Sequence, residues 1–193
     1  MTKDELRKKY KLLRKQLTDS NIDELSIAIA NRLLTMDIWE HAFYHLFLSI
    51  ETQKEINTDH ILNILSGKDK NIVISKSNFE TLELTNYLLI DSTTIRLNDY
   101  GIPEPTDGIE IDDSKIDVVF VPLLAFDING NRVGYGKGFY DGFLSKCKPE
   151  TIKIGVSFFE AETKIEDIFE NDVSLDYCVT PRKIYTFQSP EID

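Results

Sequence analysis

Cysteine is nearly absent from this 193-residue chain, with Cys147 and Cys178 the only ones. Two cysteines without CxxC spacing do not build a disulfide scaffold, and each is expected to serve as a small buried apolar residue. A long uncharged apolar run is also missing, which excludes a membrane-spanning helix. The opening Met1-Thr-Lys-Asp-Glu-Leu-Arg has no apolar stretch behind its charges. No secretory signal is expected, and the reducing cytoplasm is the expected compartment. Positive charge is scarce: 22 Lys and Arg face 33 Asp and Glu, a formal net charge of −11. Such a chain is repelled by phosphate backbones, so nucleic acid is not an expected partner. Any anionic ligand must be held by a local group of cations that opposes the global sign.

What is present is ordinary for a globular protein: 41% hydrophobic and 28% charged residues, enough to bury a core without metal or disulfide staples. Leu6, Tyr10, Leu13 and Leu17 recur at helical spacing and predict a helix over residues 3–17. Lys3, Arg7, Lys11 and Arg14 form a second stripe beside them, which is either a solvated basic face or the source of Lys3 and Arg7 for an anion site. A second helix is expected over 22–36 and a third over 58–65. Strands are expected over 42–50, 71–75, 117–122, 152–157 and 177–180. Residues 82–114 are irregular, and Ile102-Pro-Glu-Pro105 reads as an extended loop. Strands alternating with helices predict an α/β fold: a three-layer sandwich whose mostly parallel central sheet is flanked by helices. With no internal repeat or linker, one domain over residues 1–193 is expected, as a monomer.

The most informative segment is Arg132-Val-Gly-Tyr-Gly-Lys-Gly-Phe-Tyr-Asp141. It follows an expected strand and an Asn129-Gly130 turn signal, and it precedes a helix expected from about Phe139 to Cys147. Alternating Gly134, Gly136 and Gly138 let successive N–H groups point inward. A nest of this kind before a helix N-terminus binds phosphate, and Arg132 and Lys137 supply local positive charge. The segment is neither a P-loop, because Gly138 stands where Ser or Thr is needed, nor a dinucleotide fingerprint, because Phe139 stands where the third glycine is needed. Glycine spacing alone therefore leaves an anion nest or a tight strand-to-helix turn. His41 and His45 lie four apart but lack the glutamate of HExxH, and no metal site is expected there.

The longer run from Val121 to Leu144 resembles the signature of the 5-formyltetrahydrofolate cyclo-ligase (methenyltetrahydrofolate synthetase) family. Lys3-x-x-Leu6-Arg7 resembles that family's opening ATP-contacting motif. Phe47-Leu-Ser-Ile with Glu55-Ile-Asn-Thr58 resembles its substrate-side strand and acidic residue. Ile102-Pro-Glu-Pro105 and the closing Glu170-Asn-Asp172 also match in order. Phe139 stands where the family usually has tyrosine, and Asn171 where many members have histidine.

The resemblance implies a ligase of folate one-carbon metabolism that uses MgATP to cyclise 5-formyltetrahydrofolate to 5,10-methenyltetrahydrofolate. It implies ATP contacts from Lys3, Arg7, Arg132, Gly134, Tyr135, Gly136, Lys137, Gly138, Phe139 and Tyr140. Folate contacts are implied from Leu48, Glu55, Tyr135, Lys137 and Phe139. Asp141 and Asp172 are implied as Mg²⁺ ligands, and Lys137 and Arg132 as the residues acting on the transferred phosphoryl group. A sugar-phosphate isomerase-like enzyme or a non-catalytic nucleotide or folate module would use the same kind of nest.

Overall fold

The computed structural model describes residues 1–187. Helix α1 (Lys3–Lys15) opens on a capping box in which Thr2 and Glu5 exchange hydrogen bonds. Leu6 and Tyr10 form the expected buried stripe, but Lys3 and Arg14 share it. The basic stripe is therefore split: Lys11 stays exposed while Lys3 and Arg14 turn inward. Both find partners inside, Asp172 for Lys3, and Tyr135 and the Leu123 carbonyl for Arg14. Helix α2 (Asp19–Leu33) starts earlier than the apolar periodicity suggests, because Thr18 and Asn21 form a second capping box upstream of it.

Strand β1 (Phe43–His45) is much shorter than the expected 42–50. Beyond Leu46 the chain leaves the ladder and passes through a 3-10 turn at Glu51–Gln53 before helix α3 (Asp59–Gly67). Strand β2 (Asn71–Asn78) pairs antiparallel with β3 (Glu83–Leu88). A small ribbon joins β4 (Ile95–Leu97) to β5 (Pro103–Pro105). The Pro-Glu-Pro segment is extended, as expected, yet it is also paired. Only a short edge ribbon accepts prolines in this way, since they have no N–H to give. Residues 82–114 thus hold three strands that were read as irregular.

Strand β6 (Val118–Pro122) is followed by the hairpin β7 (Ala125–Phe126) and β8 (Arg132–Val133). The hairpin turns through Gly130, at φ +85°, while Asp127 Oδ1 accepts the N–H groups of Asn129 and Asn131. Helix α4 (Phe139–Lys146) and strands β9 (Ile152–Val156), β10 (Tyr177–Val179) and β11 (Ile184–Thr186) complete the described elements.

The sheet has seven strands in the order β11-β10-β9-β6-β1-β2-β3. It is parallel from β10 to β2 and antiparallel at both edges. Alternation along β6 divides the core. Val118 and Phe120 pack toward Ile29 and Leu33 of α2 and Ile61 and Leu65 of α3. Val119 and Val121 pack toward Phe143 and Leu144 of α4. This is the α/β three-layer arrangement expected from the sequence. Helix α1 joins it through a smaller cluster in which Leu6 and Tyr10 meet Leu124, Ala125 and Val133. Cys178 is fully buried and Cys147 half-buried; burial pushes the Cys147 thiol up to about 12, so neither is a thiolate near neutrality. Among the described residues no helix is long and apolar enough to cross a membrane.

Candidate active site

A cavity of about 590 Å³ opens where the parallel strands end at their carboxyl sides, the usual place for a ligand in an open α/β sheet. Every site residue expected from the sequence lines it: Lys3 and Arg7 from α1, Leu48 and Glu55 from the segment after β1, the run from Arg132 through Asp141 except Val133, and Asp172 from the long connection to β10. That connection reaches the site because Met1 and Lys3 tie it to the start of α1. The Met1 ammonium meets Glu166 at 2.8 Å, and the Lys3 backbone N–H donates to Asp167 Oδ1 at 2.6 Å.

The glycine segment bends through left-handed residues, Gly136 at φ +94° and Gly138 at φ +76°. Gly138 is the N-cap of α4 and provides no side-chain cap, so the first N–H groups of the helix remain available to a ligand. A Cβ on Gly136 would lie 3.2 Å from Cζ of Arg7. The guanidinium is seated there by a 3.0 Å hydrogen bond from its Nε to the Gly134 carbonyl. The glycine thus permits both the turn and the close approach of the cation.

Three of the four cations expected at the site are already paired. The Lys3 ammonium binds Asp172 Oδ2 and lies 4.5 Å from the centre of the Phe169 ring. Arg7 pairs with Asp4. Arg132 Nη2 meets Asp141 Oδ1 at 2.7 Å, and its Nη1 donates to the Val173 carbonyl. Lys137 is exposed and has no ion pair among the described residues. It is the cation most available to an incoming anion.

The two carboxylates are each half-committed. Asp141 Oδ1 accepts from Arg132 and, at 3.0 Å, from the Val173 N–H. Asp172 Oδ2 accepts from Lys3 and, at 2.7 Å, from the Phe169 N–H. Their second oxygens carry no hydrogen bond among the described residues. Each is thus a hard oxygen donor at the cavity wall, of the kind that could hold Mg²⁺.

Aromatic rings also line the cavity. Phe139 lies edge-on to Phe79 at 5.1 Å, and Phe79 stacks on Tyr100 at 4.1 Å. All three rings line the cavity. Tyr140 packs into both main core clusters, and burial raises its phenol above the ordinary value. Glu55 is only 5% exposed. Its Oε1 accepts from the Tyr135 hydroxyl at 2.6 Å and its Oε2 from the Ile50 N–H at 2.8 Å. Burial raises the Glu55 carboxyl above its ordinary value, and Tyr135, the Ile50 N–H and the charge of Arg14 offset only part of that rise.

Sequence reasoning missed several cavity residues. Tyr100 lies in the irregular stretch 82–114 and Phe79 just past the end of β2, where an aromatic residue has no period to reveal its face. His45 lines the cavity and is fully buried. Ser75 Oγ donates to Asn86 Oδ1 at 2.6 Å, so it accepts from His45 Nε2, also at 2.6 Å. Nδ1 of His45 is then a bare lone pair, and it has no partner. Burial pulls this imidazole down to about 3. The only available signal was a histidine within an otherwise apolar strand.

The model of the 5-formyltetrahydrofolate cyclo-ligase family matches residues 1–181. The chain belongs to this family. Among similar cyclo-ligase relatives, a probable 5-formyltetrahydrofolate cyclo-ligase of Schizosaccharomyces pombe is 27% identical over 185 residues, 88% of this chain and 90% of the relative. The 5-formyltetrahydrofolate cyclo-ligase of Mycoplasma genitalium is 29% identical over 178 residues, 91% of this chain and 97% of the relative. The solved structure of Aquifex aeolicus 5,10-methenyltetrahydrofolate synthetase superposes with a TM-score of 0.83 at 26% identity, covering 99% of this chain and 95% of that one. Part of the run that resembles the family's signature, from Arg132 to Asp141 without Val133, lines the cavity. The family's usual tyrosine is replaced by Phe139, which meets Phe79 through the ring alone. Asn171, in place of histidine, is exposed beside Asp172.

Proposed function

We propose that this chain is an ATP-dependent 5-formyltetrahydrofolate cyclo-ligase, acting as a single-domain monomer in the cytoplasm. It converts 5-formyltetrahydrofolate and MgATP to 5,10-methenyltetrahydrofolate, ADP and phosphate. The observation that carries this reading is one cavity lined by the glycine-rich segment with its cations, by a buried carboxylate and by aromatic rings.

A formamide carbon is a poor electrophile and its oxygen a poor leaving group. Attack of that oxygen on the γ-phosphorus of ATP, with ADP leaving, answers both difficulties. The N10 lone pair then adds to the activated carbon. Inorganic phosphate departs with the former formyl oxygen, and N10 loses its proton. The protein contributes position and charge compensation. Lys137, unpaired, is suited to meet the phosphoryl group in transfer. Arg132, with Lys3 and Arg7, offsets the remaining phosphate charge. The N–H groups of residues 134–138 and the open start of α4 receive phosphate oxygens. Asp141 and Asp172 are the residues that would hold Mg²⁺, which would supply positive charge to offset that of the phosphates. Leu48, Glu55, Tyr135 and Phe139 face the folate.

The test is direct. Purified protein, 5-formyltetrahydrofolate, ATP and Mg²⁺ should generate the near-ultraviolet absorbance of the methenyl product, and omitting ATP or Mg²⁺ should abolish it. No absorbance change, under conditions where a known cyclo-ligase turns over, would overturn the proposal.

A further inference from the structure

Arg14 is a buried cation that the reaction above does not use. It lies in the last turn of α1, 5% exposed. Its Nη2 donates to the Leu123 carbonyl at 2.6 Å and its Nη1 to the Tyr135 hydroxyl at 2.8 Å, while Nε has no partner. No carboxylate pairs with it directly among the described residues. The negative charge that compensates it is Glu55, one hydroxyl further on.

The order of these groups fixes the protons between them. A guanidinium only donates, so the Tyr135 oxygen must accept from Arg14. A phenol has one proton, and it therefore goes to Glu55 Oε1. The Ile50 N–H goes to Oε2. Both carboxylate oxygens thus accept, as an ionised Glu55 requires. Burial opposes that state, because removing a carboxylate from water favours its protonated form. The groups facing Glu55 are Tyr135 with Arg14 behind it, the Ile50 N–H, and Tyr140 from α4, whose phenol also senses the Glu55 charge.

We propose that Arg14 is a positioning residue: through the Tyr135 hydroxyl it holds Glu55 as an ionised, acceptor-only group at the cavity wall, ready for hydrogen-bond donors of the substrate. Without Arg14, the Tyr135 proton is no longer aimed at Glu55. Glu55 then takes up a proton and presents an O–H where the substrate needs a lone pair. The part played by the substrate rests on the proposed cyclo-ligase reading; the proton arrangement does not.

The experiment separates the two. The carboxyl carbon of Glu55, assigned with Glu55→Gln, is titrated by ¹³C NMR in free wild-type protein and in Arg14→Met, Arg14→Lys and Tyr135→Phe. The Glu55 midpoint should rise by about one pH unit or more in Arg14→Met. It should rise in Tyr135→Phe, and it should lie between wild type and Arg14→Met in Arg14→Lys. The acidic limb of kcat/KM should move by the same amount. An unchanged Glu55 midpoint in folded Arg14→Met overturns the proposal. If that variant does not fold, an unchanged midpoint in Tyr135→Phe does so. A moved midpoint in a protein without cyclo-ligase turnover would uphold the proton arrangement and reject the functional reading.

Discussion

His45 supplies a quantitative prediction of acid sensitivity. Its ring is fully buried, Nε2–H is committed to Ser75, and no group stands ready to accept a proton placed on Nδ1. A protonated ring would be a buried charge with an unsatisfied donor. The folded state therefore resists protonation down to about 3, against an ordinary 6.5. The unfolded chain has no such resistance. Between these values the unfolded state holds the extra proton, so stability falls as pH falls. The slope approaches 1.4 kcal/mol per pH unit. Summed over the window it comes to roughly 4–5 kcal/mol, comparable to the whole stability of a small domain. Urea unfolding of wild type and of His45→Gln, at pH values from 4 to 8, isolates this group. The two curves of unfolding free energy against pH should run parallel above pH 7. Below it they should converge or cross, with a slope difference of about 1 kcal/mol per pH unit. Parallel curves across the whole range would show that His45 titrates alike in both states and would refute the reasoning.

Gly136→Ala combines a left-handed backbone penalty of about 1–2 kcal/mol with displacement of the Arg7 guanidinium from 3.2 Å away. The KM for ATP should rise roughly tenfold, read from initial rates, with a smaller change for the folate. Gly155→Ala acts elsewhere, because its Cβ would lie 2.7 Å from both Leu123 Cδ2 and Leu175 Cδ1. It should cost about 1–3 kcal/mol in urea unfolding and leave the KM values of the folded enzyme unchanged. Asp141→Asn should raise the Mg²⁺ concentration needed for half-maximal rate by roughly tenfold, measured at saturating ATP.

The fold class and the turn of the glycine segment were legible because their causes are local. Apolar periodicity reports a helix face, and glycines at 136 and 138 permit the left-handed turn found there. The failures share one physical origin: partners distant in sequence. Nothing near Arg14 indicates that Tyr135 will receive its guanidinium, so it read as one more residue of a basic stripe. The apolar run after Phe43 continues past His45, yet the ladder stops there because the chain turns to carry Glu55 into the cavity. The strands β4, β5 and β11 are short edge elements whose pairing is decided by their neighbours. The ion pairs Lys3–Asp172 and Arg132–Asp141 join residues expected at the site, but only the fold shows cation and metal-type carboxylate already matched before a ligand arrives.

The central claim is that one cavity brings the formyl oxygen to the terminal phosphate of ATP. 5-Formyltetrahydrofolate labelled with ¹⁸O in the formyl group, turned over with MgATP and followed by mass spectrometry of the released phosphate, tests it most directly. The label should appear in inorganic phosphate, one atom for each methenyl product formed. Unlabelled phosphate, released while methenyl product accumulates, would contradict the account.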